Sequence, residues 1–460
     1  MMYDKYDEIN KIRKEVLEKI KPSSLQLKIL ENLSNMIKNK LNSCLRSYNL
    51  DAIVEEEGSF AKGTLLNDKW ELDMFILIKN VNDSWINSNA KDFLVGCFKD
   101  YPIMIKYSQH PYITLLLMGL EADIVPTIYV EKPRENGMGV ERTPFHTRYV
   151  NRKADGSKKD EIRLLKSFLK GIGIYGAETH IEGFSGYLSE LLVLYYGNFL
   201  NAIINASNWK NQVFIDIEGN GDFQYLKDKY STSNIIVVDP VDPKRNAAAA
   251  VSNKSLNTFI LASKLFLRNP SKVFFHVFSY NKPTKINAPS LLINCYGNYG
   301  EVPPEEIWGK LKRFSENIKI NSKRYGFNVL KTAIYTDEYK DAYIGLLLEN
   351  NIISQFELLR GPLIEDDINN IIGFINKRID EQGIVLIDND KLLGGRNRKF
   401  INIKELIKYL IIKENNLLPK NTKDCRIEEI FDINGFKING GIKEWLINSL
   451  YSMPAWITNM

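Results

Sequence analysis

The turn Gly58-Ser59-Phe60-Ala61-Lys62-Gly63-Thr64 stands shortly before the segment Trp70-Glu71-Leu72-Asp73-Met74-Phe75-Ile76-Leu77. Its glycines let backbone amides approach a phosphate, and Ser59, Lys62 and Thr64 add side-chain donors. Glu71 and Asp73 lie two apart in a strand-like run, so both point to one face. Asp123, late in Leu120-Glu121-Ala122-Asp123-Ile124-Val125, is a third acid. A carboxylate among apolar neighbours is costly to bury unless it is paired or metal-bound. Glu121 shares a face with Asp123, and the residues alone leave the choice between them open. Three carboxylates are what two Mg²⁺ ions need besides triphosphate oxygens and water. A phosphate-cradling turn beside them is the minimal equipment for two-metal nucleotidyl transfer.

The elements that must carry these residues follow from periodicity. Residues 5–20 and 24–47 have helical spacing, broken at Pro22. Ile53–Glu57 leads into the Gly58 turn. Glu71–Ile78 predicts a strand with Leu72, Met74 and Ile76 on one side, and residues 90–99 predict a helix. Tyr112–Leu117 and Leu120–Val125 predict two more strands, the second stopped by Pro126. Mixed strands and helices make residues 1–150 an α/β head. Beyond the hydrophilic stretch Arg148–Lys159, helical spacing returns in Ile162, Leu165, Phe168 and Leu169, in Tyr187–Tyr195, and over 254–267, so residues 151–270 read as a mainly helical region. From Pro270 onward, strand-like runs (Val273–Phe278, Leu291–Cys295, Tyr343–Leu348) alternate with helices near 304–324 and 366–379. A second α/β or α+β region is expected from there onward.

Composition sets the frame. A chain of 460 residues is long enough for several domains with sizeable cores. With 44% apolar and 25% charged residues it has the profile of a soluble protein. A net charge of +5 permits an acidic partner such as RNA without demanding one. Cys44, Cys97, Cys295 and Cys425 are far apart and show no C-x-x-C spacing, so neither a zinc site nor a disulfide frame is expected and a reducing, cytoplasmic setting fits. Met1–Lys21 lacks the apolar stretch of a signal peptide. The longest apolar run, about Tyr112–Leu120, is too short to span a bilayer.

Four further features have ordinary structural readings. Gly171-Ile172-Gly173-Ile174-Tyr175-Gly176 matches G-x-G-x-x-G, but it follows a helical segment rather than a strand. It therefore reads as a helix C-terminus with loop glycines, not as a dinucleotide site. Asp239-Pro240-Val241-Asp242-Pro243-Lys244-Arg245-Asn246 precedes Ala247–Ala250 and reads as a stiff, Asn-capped lead into a helix. Arg245 would then lie near that helix N-terminus, where phosphates bind. His110, His146, His180 and His276 show no zinc spacing. Basic clusters at Arg142–Lys170 and Arg396–Lys408 are solvated faces by default, and contact phosphates if the ligand is RNA.

Taken together, these motifs resemble those of the archaeal, class I CCA-adding enzymes (tRNA nucleotidyltransferases). The resemblance rests on Gly58-Ser59-x-Ala61-Lys62-Gly63-Thr64, Glu71-Leu72-Asp73, Glu121-Ala122-Asp123-Ile124-Val125-Pro126 and Arg142-Thr143-Pro144-x-His146-Thr147. Arg163–Glu178, Gly183–Leu188 and Asp239–Asn246 also fit. It covers most of residues 1–275 and continues more weakly to the end. It implies an α+β multidomain fold: a DNA polymerase β-like head, a helical neck, an RRM-like body over 271–360 and a tail over 361–460 that grips tRNA. It implies Glu71, Asp73 and Asp123 as ligands of two Mg²⁺ ions, and Ser59 and Lys62 as triphosphate contacts. Thr143, His146, Lys166 and Tyr175 would line the nucleotide's sugar and phosphates, and Arg245 would help recognise the base. The family usually has Arg where this chain has Lys62, which keeps the charge and loses the bidentate fork. The implied activity is template-independent addition of CCA to tRNA from CTP and ATP, and the implied assembly is a homodimer.

Three other readings compete. A poly(A) polymerase-like or oligoadenylate synthetase-like enzyme would use the same head but extend with ATP alone and without a defined stop. The Arg142–Thr147 and Asp239–Asn246 blocks speak against it. A small-molecule nucleotidyltransferase leaves the region beyond the neck without a purpose. A non-catalytic RNA-binding protein would not need Glu71, Asp73 and Asp123 together.

Overall fold

A computed structural model describes residues 2–107, 110–117, 119–134, 137–284, 287–381, 383–430, 433 and 436–458. The chain forms two compact units: residues 1–281 with 454–460, and residues 282–453.

The first unit opens with helices α1 (Met2–Ile20) and α2 (Ser24–Ser47), separated at Pro22. Ser23 caps α2 by accepting the Gln26 amide. Then come β1 (Ala52–Glu57), the single turn α3 (Gly58–Ala61), β2 (Glu71–Ile78), α4 (Asp83–Cys97), β3 (Ile103–Tyr107), β4 (Pro111–Leu117) and β5 (Leu120–Ile128). The five strands form one sheet in the order β1-β2-β5-β4-β3. β2 and β5 are parallel, and the other pairs are antiparallel. Leu72, Met74, Ile76 and Ile78 alternate onto one face, where they pack under Leu30, Leu33, Ile37 and Leu41 of α2 and Ile86, Phe93 and Leu94 of α4. The opposite face of β2 carries Glu71 and Asp73, then Phe75 and Leu77, which cluster with Val125.

The strand containing Asp123 runs past Pro126 to Ile128, contrary to the sequence expectation. Pro126 pairs with Ile76 of β2, while β4 pairs with β5 only up to Ile124. The missing proline N–H therefore falls beyond the ladder with β4, so a proline is tolerated there.

Next come α5 (Thr143–Lys153), α6 (Gly156–Gly171), α7 (Gly186–Tyr196), α8 (Phe199–Ser207), β6 (Val213–Ile215), α9 (Phe223–Lys229), β7 (Ile235–Asp239), β8 (Asp242–Asn246) and α10 (Asn253–Arg268). The helices share a core centred on Phe168, whose ring is parallel to Phe274 at 5.7 Å and edge-on to Phe199 and Phe266. Ile9, Ile12, Val16 and Ile20 of α1 enter the same core. The G-x-G-x-x-G segment lies at the end of α6, as read from the sequence, with Gly173 at φ +78°.

Two local expectations fail here. Val273–Phe278 is not a strand: Lys272–Phe274 forms a short 3₁₀ turn, because Phe274 and Phe275 are drawn into the aromatic core. Asp239–Asn246 does not lead into a helix but turns from β7 into β8. Asn246 is spent inside that hairpin, accepting the Val237 and Ala248 amides (both 2.9 Å) and donating to the Ile235 carbonyl. Ala247–Ala250 is a turn, and α10 starts later under the cap Ser252.

The second unit contains β9 (Asn281–Pro283), β10 (Ser290–Gly297), α11 (Pro304–Arg324), β11 (Val329–Thr336), β12 (Asp341–Leu348), β13 (Phe356–Leu363), α12 (Ile368–Asp380), β14 (Ile384–Asp388), β15 (Lys391–Asn397), α13 (Ile403–Lys413), β16 (Thr422–Ile430), α14 (Gly440–Leu450) and β17 (Ser452–Pro454), except that Asn281 and Pro454 themselves fall in the first unit. The short helix α15 (Ala455–Thr458) already belongs to the first unit. An antiparallel sheet, β11-β12-β10-β16, carries α11 and α13 on one face and α14 on the other. A second antiparallel sheet, β13-β15-β14, packs with α12.

The cysteines overturn another expectation. Cys44 is joined to Cys97, and Cys295 to Cys425. Sequence spacing does not report these pairs: the first tie links the C-terminal turns of two helices on one sheet face, and the second links opposite residues of β10 and β16. Among the described residues, no helix is long and apolar enough to cross a membrane.

Candidate active site

The site is built on the polar end of the head sheet. Parallel pairing sets Asp73 of β2 directly beside Asp123 of β5, and Glu71 beside Glu121. Asp73 and Asp123 are half-buried, whereas Glu71 and Glu121 are exposed. Burial, then the neighbouring Asp123 and Glu71 charges, raises the Asp73 carboxyl to about 6. Burial likewise raises Asp123, although Thr114 donates a hydrogen bond to it. Lys69 Nζ lies 2.8 Å from Glu71 Oε2, and Lys106 Nζ lies 3.6 Å from Glu121 Oε2. Across from Asp73 on β1, the buried Glu57 carboxyl is pushed up to about 8, chiefly by burial.

The glycine turn packs directly against Asp73. Gly58 has φ +69°, and a Cβ there would fall 1.8 Å from Asp73 Oδ2. Arg163 of α6 holds the far side of the turn, donating to the carbonyls of Gly63 (2.6 Å) and Leu65 (2.9 Å). Ser59, half-buried, sits in α3 between these anchors.

The residues present suit a hard divalent cation in donor type, since the carboxylates of Glu71, Asp73, Glu121 and Asp123 share one sheet face. Among the described residues, no three potential ligands converge on one point as they stand. Glu71 is turned to Lys69, so it would exchange that partner to join Asp73 and Asp123.

Beyond the turn stands a buried cationic group. Glu190 of α7, fully buried, accepts from Lys62 Nζ (2.6 Å), Lys166 Nζ (2.8 Å) and Thr64 Oγ1 (2.8 Å). Lys166 also donates to Thr64 Oγ1 at 2.8 Å. Burial lowers Lys166 to about 8 despite this partner, and the two lysines hold Glu190 down at about 2 against its own burial. Tyr175 reaches the same place: its hydroxyl would lie 3.0 Å from a Cβ on Gly186, and Lys166 Nζ 3.7 Å from it.

The third cluster gathers on Asp239, at the end of β7 and fully buried. It accepts from His146 Nε2 (3.0 Å), Tyr187 Oη (3.0 Å) and Arg245 Nη1 (2.7 Å). The His146 ring stacks on Tyr187 at 3.8 Å, and Lys62 Nζ lies 5.7 Å from the same tyrosine ring. Asp239 is held down at about 2 against its burial by His146 and Arg245, while burial lowers His146. Thr143, one turn before His146, opens α5. Arg245 projects from β8, not from a helix N-terminus.

The fold thus sets Asp73 beside Asp123, with Glu71 on the same face and Ser59 in the adjoining turn; brings together Lys62, Lys166 and Tyr175; and joins His146 and Arg245 through Asp239, while Thr143 is placed only at the start of α5. Sequence reasoning missed Glu190, Tyr187 and the role of Asp239 as common acceptor. Glu190 lies among Leu188, Leu191 and Leu192, and Asp239 ends Ile235-Ile236-Val237-Val238. The signal that picked out Asp123, an acid inside an apolar run, was present in both.

Three family models match successive parts of the chain. The nucleotidyltransferase domain family model matches residues 38–146, the second domain of tRNA nucleotidyltransferases matches 160–276, and the CCA-adding enzyme C-terminal domain matches 298–435. The CCA-adding enzyme of Aeropyrum pernix is 40% identical over 84% of this chain and 83% of its own length. The chain belongs to the CCA-adding enzyme family. The CCA-adding enzyme of Saccharolobus solfataricus is 35% identical over 97% of this chain and 100% of its own, and that of Sulfurisphaera tokodaii is 37% identical over 86% and 91%. A solved structure of the Cid1 poly(U) polymerase with MgGTP has a TM-score of 0.46 at 16% identity over 57% of this chain and 95% of that one, too low to bear on function. As a CCA-adding enzyme family member, the protein is a nucleotidyltransferase acting on the 3′ end of tRNA.

Proposed function

We propose that this chain adds two cytidines and one adenosine to tRNA lacking its 3′ end, using CTP and ATP without a nucleic-acid template. The observation that carries this reading is the in-register pair Asp73 and Asp123 beside the Gly58 turn, with Lys62 and Lys166 behind it. The tRNA 3′-hydroxyl oxygen forms a bond to the α-phosphorus, the bond from that phosphorus to the bridging oxygen breaks, pyrophosphate leaves, and the hydroxyl proton passes to solvent water. Glu71, Asp73 and Asp123 would hold two Mg²⁺ ions, whose chemistry is to acidify the attacking hydroxyl and neutralise charge on the triphosphate.

The chain's own groups supply the rest. Ser59 and the amides of the Gly58 turn orient the triphosphate, and Lys62 and Lys166 neutralise it. Lys62 meets the triphosphate by exchanging its bond to Glu190. Thr143, His146 and Tyr175 line the sugar and phosphates. Asp239 holds Arg245 in place at the base end. Cytosine and adenine share an exocyclic amino donor where uracil and guanine present a carbonyl. A pocket of acceptors, including an RNA phosphate gripped by Arg245, accepts the first pair and rejects the second.

The test supplies tRNA lacking its 3′ end, Mg²⁺ and each nucleotide singly and mixed. Two C, one A and then arrest is the expected product. Unlimited A addition would make the protein a poly(A)-type polymerase. Binding without incorporation would make it a non-catalytic RNA-binding protein.

A further inference from the structure

Beside the Asp239 cluster, a cavity of about 320 Å³ opens between β8 and α9, lined by Arg142, Tyr225, Lys229, Tyr230, Asp242, Lys244 and Arg245. Four of the seven lining side chains are cationic, one is anionic and two are aromatic. Arg142 is braced by Asp242 (2.8 Å) and Arg245 by Asp239 (2.7 Å), so both guanidiniums are fixed rather than loose. Lys229 Nζ lies 5.3 Å from the Tyr225 ring and 5.4 Å from the Tyr230 ring, and it donates to the Lys244 carbonyl at 3.2 Å. Tyr225 and Lys229 are exposed. The same helix presents the exposed Phe223 and Lys227, with Lys227 Nζ 5.7 Å from the centre of the Phe223 ring.

Alternating aromatic and basic side chains along a groove suit a single-stranded nucleic acid: rings stack on bases, and cations track the phosphates. Fixed guanidiniums suit phosphate oxygens. We propose that this cavity binds the unpaired 3′-terminal strand of the RNA, just upstream of the reacting hydroxyl. A base stacks on Tyr225, and backbone phosphates meet Lys229, Lys244 and Arg142. Arg245, shared by the cavity and the Asp239 cluster, joins this strand to the incoming nucleotide's base. The assignment rests on the tRNA reading above and names the part of the substrate held at this wall.

The test uses the full chain with Tyr225→Ala and Lys229→Ala, both at exposed positions, with thermal melting to show that each variant is folded. The ligands are an RNA hairpin with an unpaired 3′ overhang and the same hairpin made blunt. Tyr225→Ala should raise the Kd for the overhang RNA about tenfold and leave the blunt RNA unchanged, a loss in the range of one stacked base. Lys229→Ala should weaken binding and flatten the salt dependence of log Kd by about 0.7, the value for one single-strand phosphate. The KM for CTP at saturating tRNA should not move. Unchanged overhang affinity, an equal loss with blunt RNA, or a rise confined to the KM for CTP would each overturn the assignment. Failure of the wild-type chain to extend tRNA would sink the tRNA reading instead, while the binding comparison would still decide the cavity.

Discussion

Glu190 Oε2 lies 2.6 Å from Lys62 Nζ, so a lysine of the phosphate turn is neutralised by a carboxylate from a helix 128 residues further along the chain. Glu190→Gln keeps the shape and removes the charge that Lys62 and Lys166 share. Two buried cations would then face each other without a counter-charge. Breaking a buried pair in this way typically costs about 3–5 kcal/mol. The variant should melt well below the wild type, and CTP should raise its melting temperature more than it raises that of the wild type, because the triphosphate replaces the missing charge. Equal melting temperatures for the two proteins would show that Glu190 contributes nothing to holding the lysines.

Gly58 and Gly63 both have positive φ, but their surroundings differ. A Cβ on Gly58 would meet Asp73 Oδ2 at 1.8 Å, whereas a Cβ on Gly63 would meet the flexible end of Lys159 at 3.3 Å. Both alanine variants incur the backbone penalty of about 1 kcal/mol. Only Gly58→Ala displaces a carboxylate, and misplacement by about 1 Å can cost about a hundredfold in rate. Steady-state kinetics should therefore show a far larger loss of kcat/KM for Gly58→Ala. Similar losses in both variants would argue that strain alone matters.

The Lys166 ammonium, lowered to about 8 by burial, should set the alkaline limb of the pH profile. Activity on the free enzyme, read as kcat/KM for CTP, should fall as pH rises through about 8 and not near the ordinary lysine value of 10.5. The sign for stability is opposite. The unfolded chain binds the proton that the folded chain has released between about 8 and 10.5, so this group makes stability rise with pH across that window. A profile flat to pH 10 would remove Lys166 from the rate-determining charge balance.

Asp73 and Asp123 stand side by side with Glu71 on the same face, and this negative charge weakens the metal-free fold. Asp73→Asn should abolish nucleotide addition while leaving melting in chelator unchanged or higher, by of order 1–2 kcal/mol. Mg²⁺ should stabilise the wild-type chain and have much less effect on the variant. A stabilisation of equal size in both would place the ion elsewhere.

How much was legible in the sequence depends on the range of the interaction. The two N-terminal helices, β2 with its alternating faces and the end of α6 were all readable, because capping, period-2 alternation and glycine turns act over a few residues. The pairing of Asp73 with Asp123 required the strand register, which the residues do not contain, whereas the preference for Asp123 over Glu121 came from the family resemblance. Asn246 illustrates the opposite failure. Its local signal for a helix cap lost to three hydrogen bonds within a hairpin.

The sequence by itself determined the chemistry: a phosphate turn, acids spaced on a strand and a family pattern of motifs. These are properties of neighbouring residues and survive without coordinates. Only the tertiary structure decided that Glu190 bridges Lys62 to Lys166, that Asp239 gathers His146, Tyr187 and Arg245, and that the four cysteines form two pairs. Apart from Arg245, six positions from Asp239, those relationships join residues tens to more than a hundred positions apart. Such contacts are set by which apolar faces bury together, and a buried charge or thiol then takes the partner that this packing brings within reach.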